Sequence, residues 1–295
     1  MTWALDLDGV IWLAGRGIPG SSQAVEELRG SGERALFLTN NSGPTLAAHM
    51  AALAAVGVEA SEDDLVTSAQ AAASLVGRGT KVALIGGEGI REALRARGAV
   101  LVAPNEAPEA VVVGRSVSLD YWALSSAAAA IRGGARFIAT NTDATFPVGT
   151  PAGGEGGDLH QALAAPAVVP SDGLLPGAGA LVAFVATAAR RQPEVAGKPH
   201  PPMAALVRQR VDNVDVVAGD RPDTDGLFAR LVGARFGLVL SGVTRRADLP
   251  VDPAPDFVGE DLLALVDVAR GKTAQPAQAR IGENAAEAQQ AQRRM

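Results

Sequence analysis

The sequence predicts an α/β protein built around a largely parallel sheet. Two observations carry this. Short apolar runs alternate with amphipathic, helix-like stretches through most of the chain. Clusters of carboxylates, amides and hydroxyls follow directly on several of the apolar runs, and open α/β sheets gather their ligands at the carboxyl ends of strands.

The predicted strands, in order, are Trp3–Leu7, Ala35–Leu38, Val82–Ile85, Ala110–Val113, Phe137–Ala139, Val214–Ala218 and Phe236–Leu240. Between them, helical spacing covers Gln23–Leu28, Leu46–Leu53, Ala69–Leu75, Ile90–Arg97, Trp122–Ile131, Ala178–Ala188 and Pro202–Arg210. Pro201 and Pro202 suit a helix start, where the missing N–H has no intrahelical partner anyway, and Ser21 or Ser22 is placed to cap the first helix. Two segments break the rhythm. Val148–Asp172 is rich in Gly, Pro and Ala without a sustained period, and reads as a functional loop or a mobile insertion. Gly271–Met295 is dominated by Ala, Gln, Glu and Arg and reads as a flexible tail or loose surface helix. No internal repeat is visible.

Composition narrows the function classes. A chain of 295 residues allows one large domain or two ordinary ones. Its 47% hydrophobic and 20% charged residues are those of a soluble globular protein. Net charge is −6 and no basic run stands out, so nucleic acid is not an expected partner. Without cysteine, disulfides and thiolate metal sites are excluded. No apolar segment approaches the roughly 18 residues that span a bilayer, and no membrane partner is expected. The chain starts directly in a strand and not in the basic and apolar regions of a signal peptide, so a cytoplasmic protein is expected.

The first strand ends in Asp6-Leu7-Asp8-Gly9. Like charges this close repel, and carboxylates are depleted from strands, so such a pair is kept at a cost. A doubly negative strand mouth suits a divalent cation, and a positioned carboxylate can attack phosphorus. Thr39-Asn40-Asn41-Ser42 follows the second strand, Gly197-Lys198-Pro199 precedes a helix, and Gly219-Asp220-Arg221-Pro222-Asp223-Thr224-Asp225 is an acidic turn after a late strand. A phosphate dianion needs a lysine, a hydroxyl and backbone N–H groups; a metal held by Asp6 and Asp220 would relieve its repulsion from a carboxylate nucleophile. Taken singly, each motif also reads as a turn, a cap or a solvated charge. Four in this order point to one chemistry.

These four motifs resemble those of the haloacid dehalogenase superfamily. The chain is most similar to the 4-nitrophenyl phosphatase-like branch with a C2-type cap, which includes phosphoglycolate, pyridoxal phosphate and glycerol phosphate phosphatases. Val66-Thr67-Ser68-Ala69, Phe137-Ile138-Ala139-Thr140-Asn141-Thr142-Asp143 and Gly173-Leu174-Leu175-Pro176-Gly177-Ala178-Gly179 support that branch, and the resemblance covers residues 2 to 268. It implies a Rossmann-like core of parallel sheet, 1–79 with 195–270, carrying an inserted α/β cap, 80–194. It implies Asp6 as nucleophile and Asp8 as general acid and base. Thr39, Asn40 and Lys198 would hold the phosphoryl group; for Asn41, phosphate contact and loop anchoring both stay open. Mg²⁺ would sit on Asp6, Asp8 (through its carbonyl) and Asp220, with Asp225 supporting the metal's surroundings. Asn141, Thr142 and Asp143 would meet the substrate, although an Asx-rich turn explains them as well. A small phosphorylated metabolite is the expected partner, and pairing of two copies through the cap is plausible. The insertion 148–172 departs from the family's short linker, so substrate preference does not carry over.

The resemblance implies an Mg²⁺-dependent phosphatase of small phosphate monoesters. Its rivals are a phosphomutase and a non-catalytic sensor of phosphorylated metabolites. A nicotinamide cofactor is rejected, because Gly86-Gly87-Glu88-Gly89 lacks the full glycine fingerprint and its acidic partner. His49 and His160 lack metal-ligand spacing with another histidine, and His200, directly after Lys198-Pro199, reads as a surface cap in preference to a residue of the phosphate region.

Overall fold

The computed structural model describes residues 1–147 and 174–272. The insertion 148–172 and all but the first two residues of the tail lie outside the described residues. Contacts divide the chain into two units, Met1–Phe37 with the chain from Val211 onward, and Leu38–Arg210.

In the first unit, strand β1 (Thr2–Asp6) is buried from Trp3 to Asp6. It pairs in parallel with β13 (Val216–Gly219), Trp3 opposite Val216. β13 pairs in parallel with β14 (Arg235–Val239), and β14 with β15 (Phe257–Gly259). Continuous apolar runs form these strands because helices cover parallel sheets on both faces. Trp3, Leu5, Phe236 and Leu238 are fully buried. Burial does not orphan the Trp3 indole, whose Nε1 donates to Glu33 Oε2 at 2.6 Å. The strands of this unit run in the order β15-β14-β13-β1-β4; β4 (Arg34–Thr39) leaves the unit after Phe37, and β5 (Leu65–Thr67) belongs to the second unit.

Helix α1 (Ser21–Gly30) packs against α8 (Leu262–Ala269). The serine cap expected for α1 is not formed. Gly20, at φ +83°, takes the cap position; Ser21 is the first helical residue, and its Oγ donates to Ile11 O at 3.0 Å. The left-handed turn at glycine delivers the chain into the helix, so the hydroxyl is available to hold the preceding loop. A small antiparallel hairpin, β2 (Trp12–Leu13) with β3 (Arg16–Gly17), follows Asp8. Two-residue strands carry no period, and the sequence did not reveal them.

In the second unit a five-stranded sheet runs in the order β12-β9-β8-β6-β7. Its strands are β6 (Lys81–Ile85), β7 (Val100–Val102), β8 (Ala110–Val113), β9 (Arg136–Ala139) and β12 (Glu194–Val195), all paired in parallel. Helix α5 (Tyr121–Arg132) packs against α6 (Ala178–Ala189), and Val111, Val113, Leu124, Ile131, Phe137 and Val185 share one core. Asp120 caps α5, accepting from the N–H groups of Trp122 and Ala123. β10 (Thr145–Pro147) and β11 (Leu174–Pro176) form an antiparallel pair. The same unit holds α2 (Leu46–Ala55), α3 (Ser68–Ser74), α4 (Glu88–Ala96) and α7 (Pro201–Arg210). α7 starts at the two prolines as expected and packs against α3. The contact division falls at Phe37 and Arg210, whereas the boundaries implied by the resemblance lie at 79/80 and 194/195.

Candidate active site

The acidic residues belong to the first unit. β1 delivers Asp6 at its carboxyl end, and β13 delivers Asp220 directly after Gly219. A short π-helical turn, Pro222–Gly226, brings back Asp225. One carboxylate oxygen from each of Asp6, Asp220 and Asp225 lies within 4.8 Å of the others, and all three residues are buried. The resemblance implies Asp225 as support for the metal's surroundings; its carboxylate lies in the cluster with Asp6 and Asp220, where Oδ2 accepts from the Arg221 N–H at 3.2 Å. Asp220 Oδ2 accepts from the Val243 N–H at 2.6 Å.

Gly9 is required here for two reasons. Its φ of +85° lies in the left-handed region, and a Cβ at this position would stand 2.5 Å from Asp220 Oδ2. The turn it makes sends three N–H groups, from Val10, Ile11 and Trp12, onto Leu7 O. Trp12 is thereby brought back so that its Nε1 donates to Asp8 Oδ1 at 3.1 Å. Ser241 Oγ donates to Gly9 O at 2.6 Å and holds the turn from the other side.

Three buried carboxylates this close repel one another unless a cation balances them. The donor set is oxygen only, hard and anionic, which suits Mg²⁺ and not the softer metals that select nitrogen and sulfur. The residues fit the ion the sequence implies.

The amides and the lysine belong to the second unit. Thr39, Asn40, Ser42, Asn141 and Lys198 are all buried. Asn40 Oδ1 accepts from the Lys198 N–H at 2.8 Å and its Nδ2 donates to Lys198 O at 3.1 Å, so one carboxamide clamps both sides of the lysine's backbone. Gly197 allows this approach, because a Cβ there would stand 2.5 Å from Asn40 Oδ1. Asn40 O accepts from Ser68 Oγ at 2.7 Å and from Asn141 Nδ2 at 2.6 Å. Thr39 Oγ1 accepts from the Asn41 N–H at 3.0 Å.

Asn141 makes an Asx turn, its Oδ1 accepting from the Asp143 N–H at 3.1 Å, and its other end holds Asn40; Thr142 is exposed. Asn41 Oδ1 accepts from Gly43 N–H and from Arg115 Nη1, at 3.3 and 3.4 Å. His49 Nε2 lies 3.2 Å from Asn41 O, and burial lowers this histidine's pKa to about 4. Burial also lowers the pKa of His200.

Sequence reasoning did not assign roles to Trp12, Ser68, Arg115 or Ser241. Each meets its partner through a bend or return of the chain, and no local spacing announces it.

Residues 3–100 match the family model described as haloacid dehalogenase-like hydrolase, and residues 195–265 match a second, described as HAD-hydrolase-like. The chain is 35% identical over 273 residues to the D-glycerol 3-phosphate phosphatase of Mycobacterium tuberculosis, covering 88% of this chain and 69% of that protein. A p-nitrophenyl phosphatase from Archaeoglobus fulgidus superposes with a TM-score of 0.77 at 28% identity, covering 90% of this chain and 98% of its own. A glycerol phosphate phosphatase from M. tuberculosis, in complex with magnesium, superposes with a TM-score of 0.76 at 33% identity, covering 90% of this chain and 75% of its own.

Proposed function

Because the chain belongs to the haloacid dehalogenase-like hydrolases, we propose that it is an Mg²⁺-dependent phosphatase that hydrolyses small phosphate monoesters through an aspartyl-phosphate on Asp6. The observation that carries this is the buried cluster of Asp6, Asp220 and Asp225. Asp6, Asp220 and the carbonyl of Asp8 hold the metal, and Asp225 completes its acidic surroundings. When bound, the ion supplies the positive charge that lets a carboxylate approach a phosphate dianion.

The protein's own groups do the rest. Asp6 attacks phosphorus, and the bond to the leaving oxygen breaks. Asp8 gives its proton to the departing alkoxide, then takes one from the water that hydrolyses the acyl phosphate. The Trp12 indole orients Asp8 for both transfers. Thr39 and the Asn40 backbone bind the phosphoryl oxygens and Lys198 neutralises them. The Asn40 carboxamide serves this step indirectly, by fixing the backbone from which Lys198 extends. Asn41 belongs to the same loop as an anchor.

The α/β region 80–194 serves as a cap that excludes water from the reaction. Within it Asn141 shapes the specificity loop, leaving Thr142 and Asp143 to meet the substrate. A cytoplasmic setting and pairing of two copies through the cap belong to the same reading; light scattering on the purified chain tests the pairing.

The experiment is phosphate release from a panel of small esters with Mg²⁺ and with EDTA. Fast, EDTA-sensitive release is expected. Its absence from every ester, with the fold intact, would reject the phosphatase in favour of a binding protein.

A further inference from the structure

Arg115 follows β8 and has no role in the reaction described above. Its guanidinium carbon lies 3.9 Å from the centre of the Phe146 ring, and its Nη1 donates to Asn41 Oδ1 at 3.4 Å. The backbone at Arg115 is held on both sides: its N–H donates to Ser42 Oγ at 3.2 Å, and its carbonyl accepts from the Gly87 N–H at 2.9 Å. Ser42, itself fully buried, pairs with Thr140 Oγ1 at 3.0 Å. Gly43 makes room, since a Cβ there would stand 3.1 Å from Nη1. A cation is thus seated against the loop of Thr39, Asn40 and Asn41, and against the strand that follows Asn141–Asp143.

Lysine and arginine bind anions by different chemistry. A lysine ammonium is a point charge suited to the phosphoryl oxygens. A guanidinium is planar, with donors in a fork that matches a carboxylate. Stacking on Phe146 fixes the plane of that fork before any ligand arrives.

We propose that Arg115 is a specificity-determining residue that binds a carboxylate on the alcohol half of the substrate, so that phosphate monoesters of small hydroxy acids are the preferred class. The proposal rests on the phosphatase reading above and selects among its substrates.

The test compares phosphate release from 2-phosphoglycolate and from glycerol 3-phosphate, similar in size but with and without a carboxylate, by wild type, Arg115→Met and Arg115→Lys in saturating Mg²⁺. 4-Nitrophenyl phosphate is the reporter of basal chemistry. Arg115→Met is expected to lower kcat/KM for the carboxylated ester about 10- to 100-fold, mainly through KM, and for the other two less than about 3-fold. Arg115→Lys is expected to restore part of the loss. Equal losses on all three esters, with a lowered thermal midpoint, would mark a purely structural arginine and overturn the proposal; so would no loss on any. Wild type that hydrolyses only the two esters without a carboxylate would overturn it while leaving the phosphatase reading standing. No EDTA-sensitive release from any of the three would overturn both.

Discussion

Asp6 and Asp8 stand two positions apart on the chain but in different surroundings. Asp6 is buried within the carboxylate cluster, while Asp8 is half-buried and hydrogen-bonded to the Trp12 indole. That difference suits one to nucleophilic attack beside a metal and the other to proton transfer at the mouth. Asp6→Asn is expected to lower kcat by about 10³-fold or more, with no phosphoenzyme on acid quench. Unchanged turnover would remove Asp6 from the nucleophile's role. His49 gives a prediction about pH. Its pKa is lowered from 6.5 to about 4 by burial, so between those values the unfolded chain takes up a proton that the fold refuses. The stability it contributes is full above pH 6.5 and is lost as pH falls toward 4, by about 3 kcal/mol at most. His49→Gln should flatten the change in urea midpoint between pH 7 and pH 5; an unaltered slope would show that other groups set it.

Among elements, the loop after β4 has the most demanding neighbours. Its Asn40 holds the backbone of Lys198, a residue 158 positions away, while Ser68 and Asn141 hold Asn40 in turn. Each of these bonds is buried, where an orphaned N–H is expensive. Asn40→Ala is therefore expected to destabilise the protein by about 2–4 kcal/mol and to raise KM, because it leaves the Lys198 N–H buried without its acceptor. Thermal unfolding and steady-state kinetics check both parts. A loss of stability without any change in KM would mean that the clamp does not position the lysine. The hairpin β2–β3 plays the corresponding part beside Asp8, since Trp12 begins it.

For the whole molecule, metal binding and stability are linked. The acidic cluster draws on residues far apart in the chain, so only the folded state presents it, and an ion that binds there stabilises the fold by mass action. Millimolar Mg²⁺ is expected to raise the thermal midpoint by several degrees and EDTA to reverse it. Asp220→Asn should abolish most of that increment, since a cluster short of one charge no longer favours a divalent ion. An increment that survives in Asp220→Asn would place the ion elsewhere. The net charge of −6 gives no general attraction for phosphorylated ligands, so the proposed binding relies on local donors such as Lys198.

Local physics wrote the elements into the chain. Ala110–Val113 is a strand over the very residues predicted, and the helix predicted from Ala178 ends one residue later than expected, because buried apolar runs and helical periods are properties of consecutive residues. The motif residues were legible for the same reason, each following an apolar run or, for Gly197-Lys198-Pro199, preceding a helical one. The alternation also sufficed for the α/β class. The rest depended on chain return. Strands as short as Glu194–Val195 exist only because β9 is there to pair with them. Asp225 joined Asp6 and Asp220 through a π-helical turn that no periodicity announces. Asn40 found Lys198, and Arg115 found Asn41 and Phe146, across separations that carry no sequence signal. Hydrogen bonds and ion clusters are short-ranged in space and indifferent to distance along the chain, so folding alone chooses their partners.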